Sequence, residues 1–180
     1  MKIQQIHHVA YRCKDALETV EFYTQVLNME FLLAISEDRV PSTKAPDPYM
    51  HVFLDAGNGN ILAFFELPNS PEMGRDQNTP DWVQHIAFQL ENEKALQDAK
   101  LELESKGVNV VGPTDHGIIQ SIYFFDPNGH RLELTTVVAK AEQLRKLDQV
   151  KWEMLDEWSL TKRSVKQADW LHQDEFHTTA

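Results

Sequence analysis

The sequence HVAY at residues 8–11 recurs as HIAF at residues 85–88, and this pair of segments decides the fold. A second pair joins FEL at 65–67 to LEL at 132–134. Related segments that recur in the same order indicate an internal duplication. The offsets differ, 85 − 8 = 77 for the first pair against 133 − 66 = 67 for the second, so the first copy is predicted to have the longer hairpins.

Each copy has the pattern of a βαβββ unit. Alternating apolar residues indicate strands, and Asp15 followed by Glu18 fits a capping box at the start of a helix. The predicted elements of the first copy are strands over 3–13, 30–36, 49–55 and 61–67, with a helix from Asp15 to Asn28. Those of the second copy are strands over 82–90, 108–111, 120–125 and 131–137, with a helix over 93–106.

The two units predict one α+β domain over residues 1–138, in which paired βαβββ modules form a cupped mixed sheet. The first module is predicted over 3–67, a proline-containing linker over 68–81 and the second module over 82–138. Residues 139–180 lie outside the duplication and are predicted to form a helical C-terminal extension. This extension either packs on the outside of the sheets or serves as a lid or dimer contact.

Composition restricts the class of partner. The formal net charge is −11, with only 17 Lys and Arg residues, which argues against binding to nucleic acid or to an anionic membrane. A small-molecule partner is therefore expected. Cys13 is the only cysteine, so any metal must be held by His and carboxylate side chains. No signal-peptide-like or membrane-spanning apolar run is found, which predicts a cytoplasmic protein.

Each copy places one histidine in its first strand and one glutamate in its last strand. Strand alternation is predicted to bring these four side chains to one concave face, away from the helices. Taken singly, such residues are more often structural, but their recurrence in both copies favours one metal site. Imidazole and carboxylate together suit Fe(II), Ni, Zn, Mn or Co. The predicted ligands are His8, Glu66, His85 and Glu133.

Over about residues 3 to 138 the chain resembles the vicinal oxygen chelate superfamily. That superfamily includes glyoxalase I, methylmalonyl-CoA epimerase, fosfomycin-resistance and bleomycin-resistance proteins, and type I extradiol dioxygenases. The resemblance implies two βαβββ units around one divalent metal ion and a substrate with vicinal oxygens. It also implies a homodimer, and the cup of such proteins forms either within one chain or by exchange of units between subunits.

A more specific resemblance is to the extradiol dioxygenases. The segments TDH at 114–116, IY at 122–123 and DPNG at 126–129, followed by Glu133, are similar to their signature. This resemblance implies that His8, His85 and Glu133 hold Fe(II), the favoured metal, and leave open positions for a catechol-like diol and O2. It further implies that His116 orients substrate or moves protons and that Tyr123 hydrogen-bonds a substrate oxygen. A ring-cleaving dioxygenase is the favoured hypothesis.

The main alternative resembles glyoxalase I and the epimerases, lyases and isomerases in which all four positions bind metal. Glu66 or Glu133 would then shuttle a proton beside a metal-stabilised enediolate. Glutathione or CoA adducts are anionic, and the candidate anchors for them are Arg12, Arg39 and Arg75. The third hypothesis is a non-catalytic drug-binding module.

Two facts separate the enzyme hypotheses. A fourth protein ligand at Glu66 would leave too few open positions for both a bidentate diol and O2. The dioxygenases also carry a further catalytic histidine upstream of the second ligand, and no histidine lies between His51 and His85. The sequence predicts no role for His7, His51, His130, His172 or His177.

Overall fold

The structure is a computed structural model that describes residues 1–172, so His177 lies outside the described residues. The order of elements is βαβββ twice, followed by a long helix, and it confirms the predicted α+β fold of paired modules. The elements are β1 (Val9–Cys13), α1 (Ala16–Gln25), β2 (Glu30–Glu37), β3 (Tyr49–Asp55), β4 (Ile61–Glu66), β5 (Ile86–Gln89), α2 (Glu93–Ser105), β6 (Val111–Asp115), β7 (Ile119–Phe125), β8 (Arg131–Val137) and α3 (Ala141–Thr161), with a 3-10 turn at Asp169–His172.

The strands form two four-stranded sheets with equivalent strand orders. The first sheet has the order β1-β4-β3-β2 and the second has the order β5-β8-β7-β6. In the first sheet β1 is parallel to β4, whereas β3 is antiparallel to both of its neighbours, so the sheet is mixed. The same order in both sheets agrees with the duplication predicted from the sequence.

The helices begin where capping side chains satisfy their first backbone N–H groups. Asp15 accepts a hydrogen bond from the backbone N–H of Glu18 at 2.8 Å, as the predicted capping box requires. Asn92 accepts in the same way from the N–H of Ala95 at 2.9 Å at the start of α2. The helix α1 ends before Asn28, whose φ of 55° is left-handed and cannot continue a right-handed helix.

Several element boundaries differ from the predicted ones. The first strand of each sheet starts later than predicted, so His8 and His85 each precede their strand by one residue. The strand predicted over 108–111 is also displaced and begins at Val111. Val108 belongs to the C-terminal turn of α2 and not to the strand, because its N–H bonds back to the carbonyl of Leu103 at 3.0 Å.

The chain divides into two compact units. The first contains residues 1–86 together with 125–132, and the second contains residues 87–124 and the chain from 133 onward. The core of the first unit includes Tyr23 of α1, whose ring lies 5.0 Å from that of Phe64 on β4. Buried apolar side chains of the second unit include Leu96, Leu103, Ile122, Phe124 and Leu134. These units do not coincide with the two sequence modules, because the β7–β8 turn groups with the first.

The C-terminal helix predicted from the sequence corresponds to α3, which spans 21 residues. It exposes three large apolar side chains, those of Trp152, Leu155 and Trp158. Among residues 1–172 no helix combines the length and the apolar character needed to cross a bilayer.

Candidate functional site

His8 lies in an aromatic cluster on one face of the first sheet. The centroid of its ring is 6.3 Å from that of His51 and 5.9 Å from that of Phe53, both on β3. The neighbouring His7 places its Nδ1 atom 2.8 Å from Nδ1 of His8. This contact involves Nδ1 of His8 and not its Nε2 atom.

The two faces of this sheet are distinguished by contacts with α1. Phe64 packs against Tyr23 of α1, so the alternate residue Phe65 lies on the opposite face. The ring of His51 stacks on that of Phe65 at a centroid distance of 3.5 Å. Arg12 on β1 and His51 on β3 are the two register partners of Phe65, and we call these three residues the Arg12–Phe65–His51 row. The row lies on the same face as His8.

Glu66 does not lie on this face. It follows Phe65 in β4 and therefore shares the α1 side with Phe64. Its Oε2 atom accepts a hydrogen bond of 2.7 Å from the backbone N–H of Ala16, the first residue of α1. A carboxylate is favourable at a helix N-terminus, where N–H groups lack partners within the helix. The structure therefore places Glu66 on the α1 side and not beside His8, and its role as a metal ligand or proton shuttle stays a prediction.

His51 is a candidate functional residue that the sequence analysis missed. Its side chain is only 8% exposed, and its Nε2 atom has no hydrogen-bond partner among residues 1–172. Burial, and then the nearby His8, lower the pKa of His51 below its usual value. The alternation of Tyr49, His51 and Phe53 with buried Val52 and Leu54 is the signal in the sequence that places His51 on this face.

In the second unit Glu133 lies on β8 and is only 2% exposed. Its Oε1 atom lies 2.5 Å from Oγ of Ser121 on β7, and that Oγ also lies 2.9 Å from Oγ1 of Thr135. Alternation along β7 places Tyr123 on the same face as Ser121. One face of the second sheet thus carries both the predicted carboxylate ligand and the predicted tyrosine.

The predicted pair His116 and Tyr123 is brought together in the same unit. The Nε2 atom of His116 lies 2.8 Å from the hydroxyl oxygen of Tyr123, and which of the two donates depends on the tautomer of the imidazole. His116 follows β6 directly, and Tyr123 lies in the middle of β7. The pair can transfer a proton or fix the orientation of the phenol.

His85 lies in the first unit, directly before β5. It lines a cavity of about 590 Å³ together with Tyr11, Arg75 and His130. Among residues 1–172, no three His, Cys, Asp or Glu side chains are grouped in a way that could hold a metal ion.

The DPNG segment at residues 126–129 has a structural role in the first unit. Tyr23 donates its hydroxyl hydrogen bond to Asp126 at 3.1 Å, and Asn128 also donates to Asp126 at 3.0 Å. The Oδ1 atom of Asn128 accepts from the backbone N–H of Lys14 at 2.8 Å, and its amide donates to Thr19 at 3.1 Å. Burial and the adjacent Asp126 raise the pKa of Tyr23 well above its usual value. This segment joins the β7–β8 turn to the helix α1.

Comparisons with known proteins agree with this fold. The chain is 31% identical over 137 residues to the metallothiol transferase FosB of Bacillus licheniformis, covering 75% of this chain and 77% of that protein. It is 28% identical over 139 residues to the putative ring-cleaving dioxygenase MhqA of Bacillus subtilis, covering 75% of this chain but only 41% of that protein. The matched region thus spans less than half of that dioxygenase.

A similar solved structure is that of the fosfomycin resistance protein FosX from Listeria monocytogenes, complexed with Mn(II) and sulfate. It has a TM-score of 0.56 at 21% identity and covers 81% of this chain and all of the FosX chain. Members of the superfamily are mostly metal-dependent enzymes. The model of the Glyoxalase/Bleomycin resistance protein/Dioxygenase superfamily matches residues 5–134, and the chain belongs to that superfamily.

Proposed function

We propose that this protein is an extradiol-type ring-cleaving dioxygenase that acts on a catechol-like aromatic diol. The observation that carries this proposal is the position of Glu66, whose carboxylate accepts from the first N–H of α1. Without Glu66, the predicted donors reduce to two histidines and one glutamate. A three-donor set leaves the open positions that a bidentate diol and O2 together require. A glyoxalase-like lyase or isomerase would need Glu66 as its fourth metal ligand, and a Glu66 bound to the N-terminus of α1 does not supply it.

The donors that would hold the metal are His8, His85 and Glu133. Two imidazoles and one carboxylate fit Fe(II) best, and they are also compatible with Mn, Co, Ni or Zn. The buried Nε2 atom of His51 beside His8, which lacks a partner among residues 1–172, agrees with a site that is completed by a bound group. A metal held there would supply the redox and Lewis-acid chemistry of ring opening.

We further propose that these donors come from two copies of the chain in a homodimer. The superfamily resemblance supports this arrangement, because the cup of such proteins forms either within one chain or by exchange of units between subunits. A second copy would also cover the exposed edge strand β2, whose residues Phe31, Leu32, Leu33 and Ile35 are each more than 40% exposed.

Mixing two inactive variants tests this arrangement. A His8→Ala chain and a His85→Ala chain would each be inactive alone, but a mixed dimer with shared sites contains one intact set of donors. Recovery of activity on mixing and subunit exchange is the expected result. If each site is built within one chain, the mixture stays as inactive as its components.

The remaining polar side chains have assignable roles in this chemistry. His51 is adjacent to His8 on the same face and is placed to accept a proton from a diol hydroxyl. Tyr123 would donate a hydrogen bond to a substrate oxygen, and His116, 2.8 Å from its hydroxyl, would orient it. In the overall reaction both atoms of O2 enter the product as the ring bond beside the diol breaks.

Oxygen uptake tests the proposed function directly. Metal-stripped protein is reloaded with Fe(II) without air and mixed with a panel of catechols in an oxygen electrode, while the yellow ring-opened product is followed by absorbance. Stoichiometric uptake with colour is expected. Protein loaded with Zn(II) serves as a control, because zinc does not change oxidation state. Absence of uptake across the panel would contradict the proposal.

A second candidate is a metal-dependent thiol transferase. The match to FosB extends over three quarters of both chains, which favours this class. Mn(II)-loaded and Zn(II)-loaded protein would then consume a thiol in the presence of fosfomycin, as measured by the loss of free thiol. Thiol loss without oxygen uptake from catechols would favour the transferase over the dioxygenase.

A further inference from the structure

Unsatisfied buried polar atoms are concentrated on one face of the first sheet. Among residues 1–172 only three buried side-chain nitrogen or oxygen atoms lack a hydrogen-bond partner: Nε of Arg12, Nε2 of His51 and Oε1 of Gln167. Folded proteins satisfy nearly all such atoms, so each exception requires an explanation. The first two belong to the same Arg12–Phe65–His51 row, which points to a missing ligand at that row.

Arg12 differs from the other arginines that the sequence offered as anchors. Arg75 forms an ion pair with Asp81 at 3.1 Å, and Arg39 donates to the carbonyl of Lys44 at 3.2 Å. Arg12 donates through Nη2 to the carbonyl of Pro71 at 2.5 Å, and no carboxylate in the described part of the chain pairs with it. Its guanidinium is therefore oriented by the chain but lacks a counter-ion there.

The surroundings of Arg12 favour an anionic ligand. Its row continues from β1 through Phe65 and His51 to Ile35 on β2, and none of these residues is acidic. A guanidinium binds carboxylates well because its N–H groups match the two oxygens. The stacked rings of Phe65 and His51 provide an aromatic surface next to it.

His8 lies on the same face, four residues before Arg12, which corresponds to about 13 Å along an extended chain. Ala10, small and exposed, separates the two residues on that face. A substrate whose reacting oxygens lie near His8 can thus extend along β1 and place a second polar group near Arg12.

We propose that Arg12, with Phe65 beside it in this row, binds a carboxylate side chain of the substrate, so that the preferred substrates are catechols with a short acidic substituent. Arg12 supplies the charge and determines this specificity, and Phe65 packs against the organic part. The proposal rests on the proposed dioxygenase function.

The test compares two probes of matched size, 3,4-dihydroxyphenylacetate and its neutral amide. The wild-type Fe(II) protein is expected to have a higher kcat/KM for the acid than for the amide. In Arg12→Gln the ratio of the two values is expected to fall by about 10- to 100-fold, as for the loss of a charged hydrogen bond. Arg12→Lys, which keeps the charge, should restore part of the ratio, and Arg39→Gln should leave it unchanged. An unchanged ratio in Arg12→Gln would overturn the proposal.

Binding of phenylacetate to metal-free protein, measured by ligand-observed NMR or calorimetry, separates this proposal from the proposed function. Phenylacetate lacks the diol, so its binding does not require ring cleavage. Binding that is lost in Arg12→Gln and retained in Arg39→Gln would support the carboxylate site even if no catechol is cleaved. If neutral catechols are cleaved but phenylacetate binds equally well to wild type and to Arg12→Gln, the carboxylate site is refuted and the dioxygenase proposal still holds. Thermal unfolding of each variant establishes that it is folded.

Discussion

Glu66 and Glu133 occupy corresponding positions in the sequence duplication but have different environments. Glu66 is at the end of β4, partly exposed, and accepts from the first N–H of the helix α1. Glu133 lies inside β8, is almost fully buried and is hydrogen-bonded to Ser121. The first glutamate therefore has the features of a structural residue, whereas the second has those of a candidate ligand. Duplication preserved the elements of the fold without preserving the use of each position.

The physical reason is strand register. Side chains alternate between the faces of a strand, so a shift of one residue moves a side chain to the opposite face. Phe65, not Glu66, lies on the His8 face of β4, although the letters FEL and LEL match in the sequence. Four further comparisons of variants and one thiol measurement test whether the two faces differ in function as they differ in structure.

The largest expected effect is that of Glu133→Ala. Loss of a metal ligand should reduce kcat/KM by more than about 100-fold, since even residues that only support ligands cost 10- to 100-fold. Metal content by mass spectrometry and oxygen uptake measure the two effects. Full activity and a full metal complement in Glu133→Ala would refute the proposed metal site.

The variant His51→Gln tests whether His51 acts in proton transfer or in metal binding. We expect turnover to fall by about 100-fold, because a general base is removed, while metal content stays close to that of the wild type. The amide retains some hydrogen-bonding capacity and a similar volume, which limits structural damage. Equal loss of metal and turnover would instead assign His51 to metal binding.

Ser121→Ala removes a supporting hydrogen bond from Glu133. The Oγ atom lies 2.5 Å from the carboxylate, so its loss should weaken metal affinity by about tenfold. A metal titration followed by calorimetry measures the change. Thr135→Val, which removes the neighbouring hydroxyl that bonds to Ser121 and to the carbonyl of Gln120, is the matched control and should have a smaller effect.

Glu66→Ala should affect stability but not chemistry. Removal of the acceptor for the N–H of Ala16 is expected to lower the free energy of unfolding by about 1 kcal/mol, as for other capping residues. Urea denaturation measures this change, and Glu66→Gln, which keeps an acceptor oxygen, should lose less. Metal content and oxygen uptake of Glu66→Ala should match the wild type. Loss of metal in this variant would restore the four-ligand hypothesis.

The smallest effect concerns Cys13, the register partner of Glu66 on β1. Burial raises the pKa of the Cys13 thiol to about 11, with Glu66 contributing in the same direction. At pH 8 the thiol is therefore protonated and shielded, and it should react with a disulfide reagent only after unfolding. Rapid reaction in the native protein would show that the α1 side of the sheet is open.

The sequence predicted the order of elements and the capping of α1 by Asp15, whereas the contact between His116 and Tyr123 was found only in the structure. It could not place Glu66, because a short sequence match does not determine register to one residue. It predicted no role for His51, because strand alternation alone does not tell whether a histidine stacks on neighbouring rings beside His8 or lies at the surface. The partners of Asp126 and Asn128 are more than 100 residues away in the sequence and could not be inferred from local pattern.

The hydrogen bonds of Asp126 and Asn128 have a consequence for how the protein folds. The buried hydroxyl of Tyr23 and the N–H of Lys14 find their partners only after the β7–β8 turn has been synthesised, and Thr19, which also donates to the carbonyl of Asp15, gains its contact with Asn128 at the same stage. A fragment ending at the linker would bury the hydroxyl of Tyr23 without this partner, at a cost of about 1–3 kcal/mol. The first module should therefore reach its full stability only when nearly three quarters of the chain has been translated.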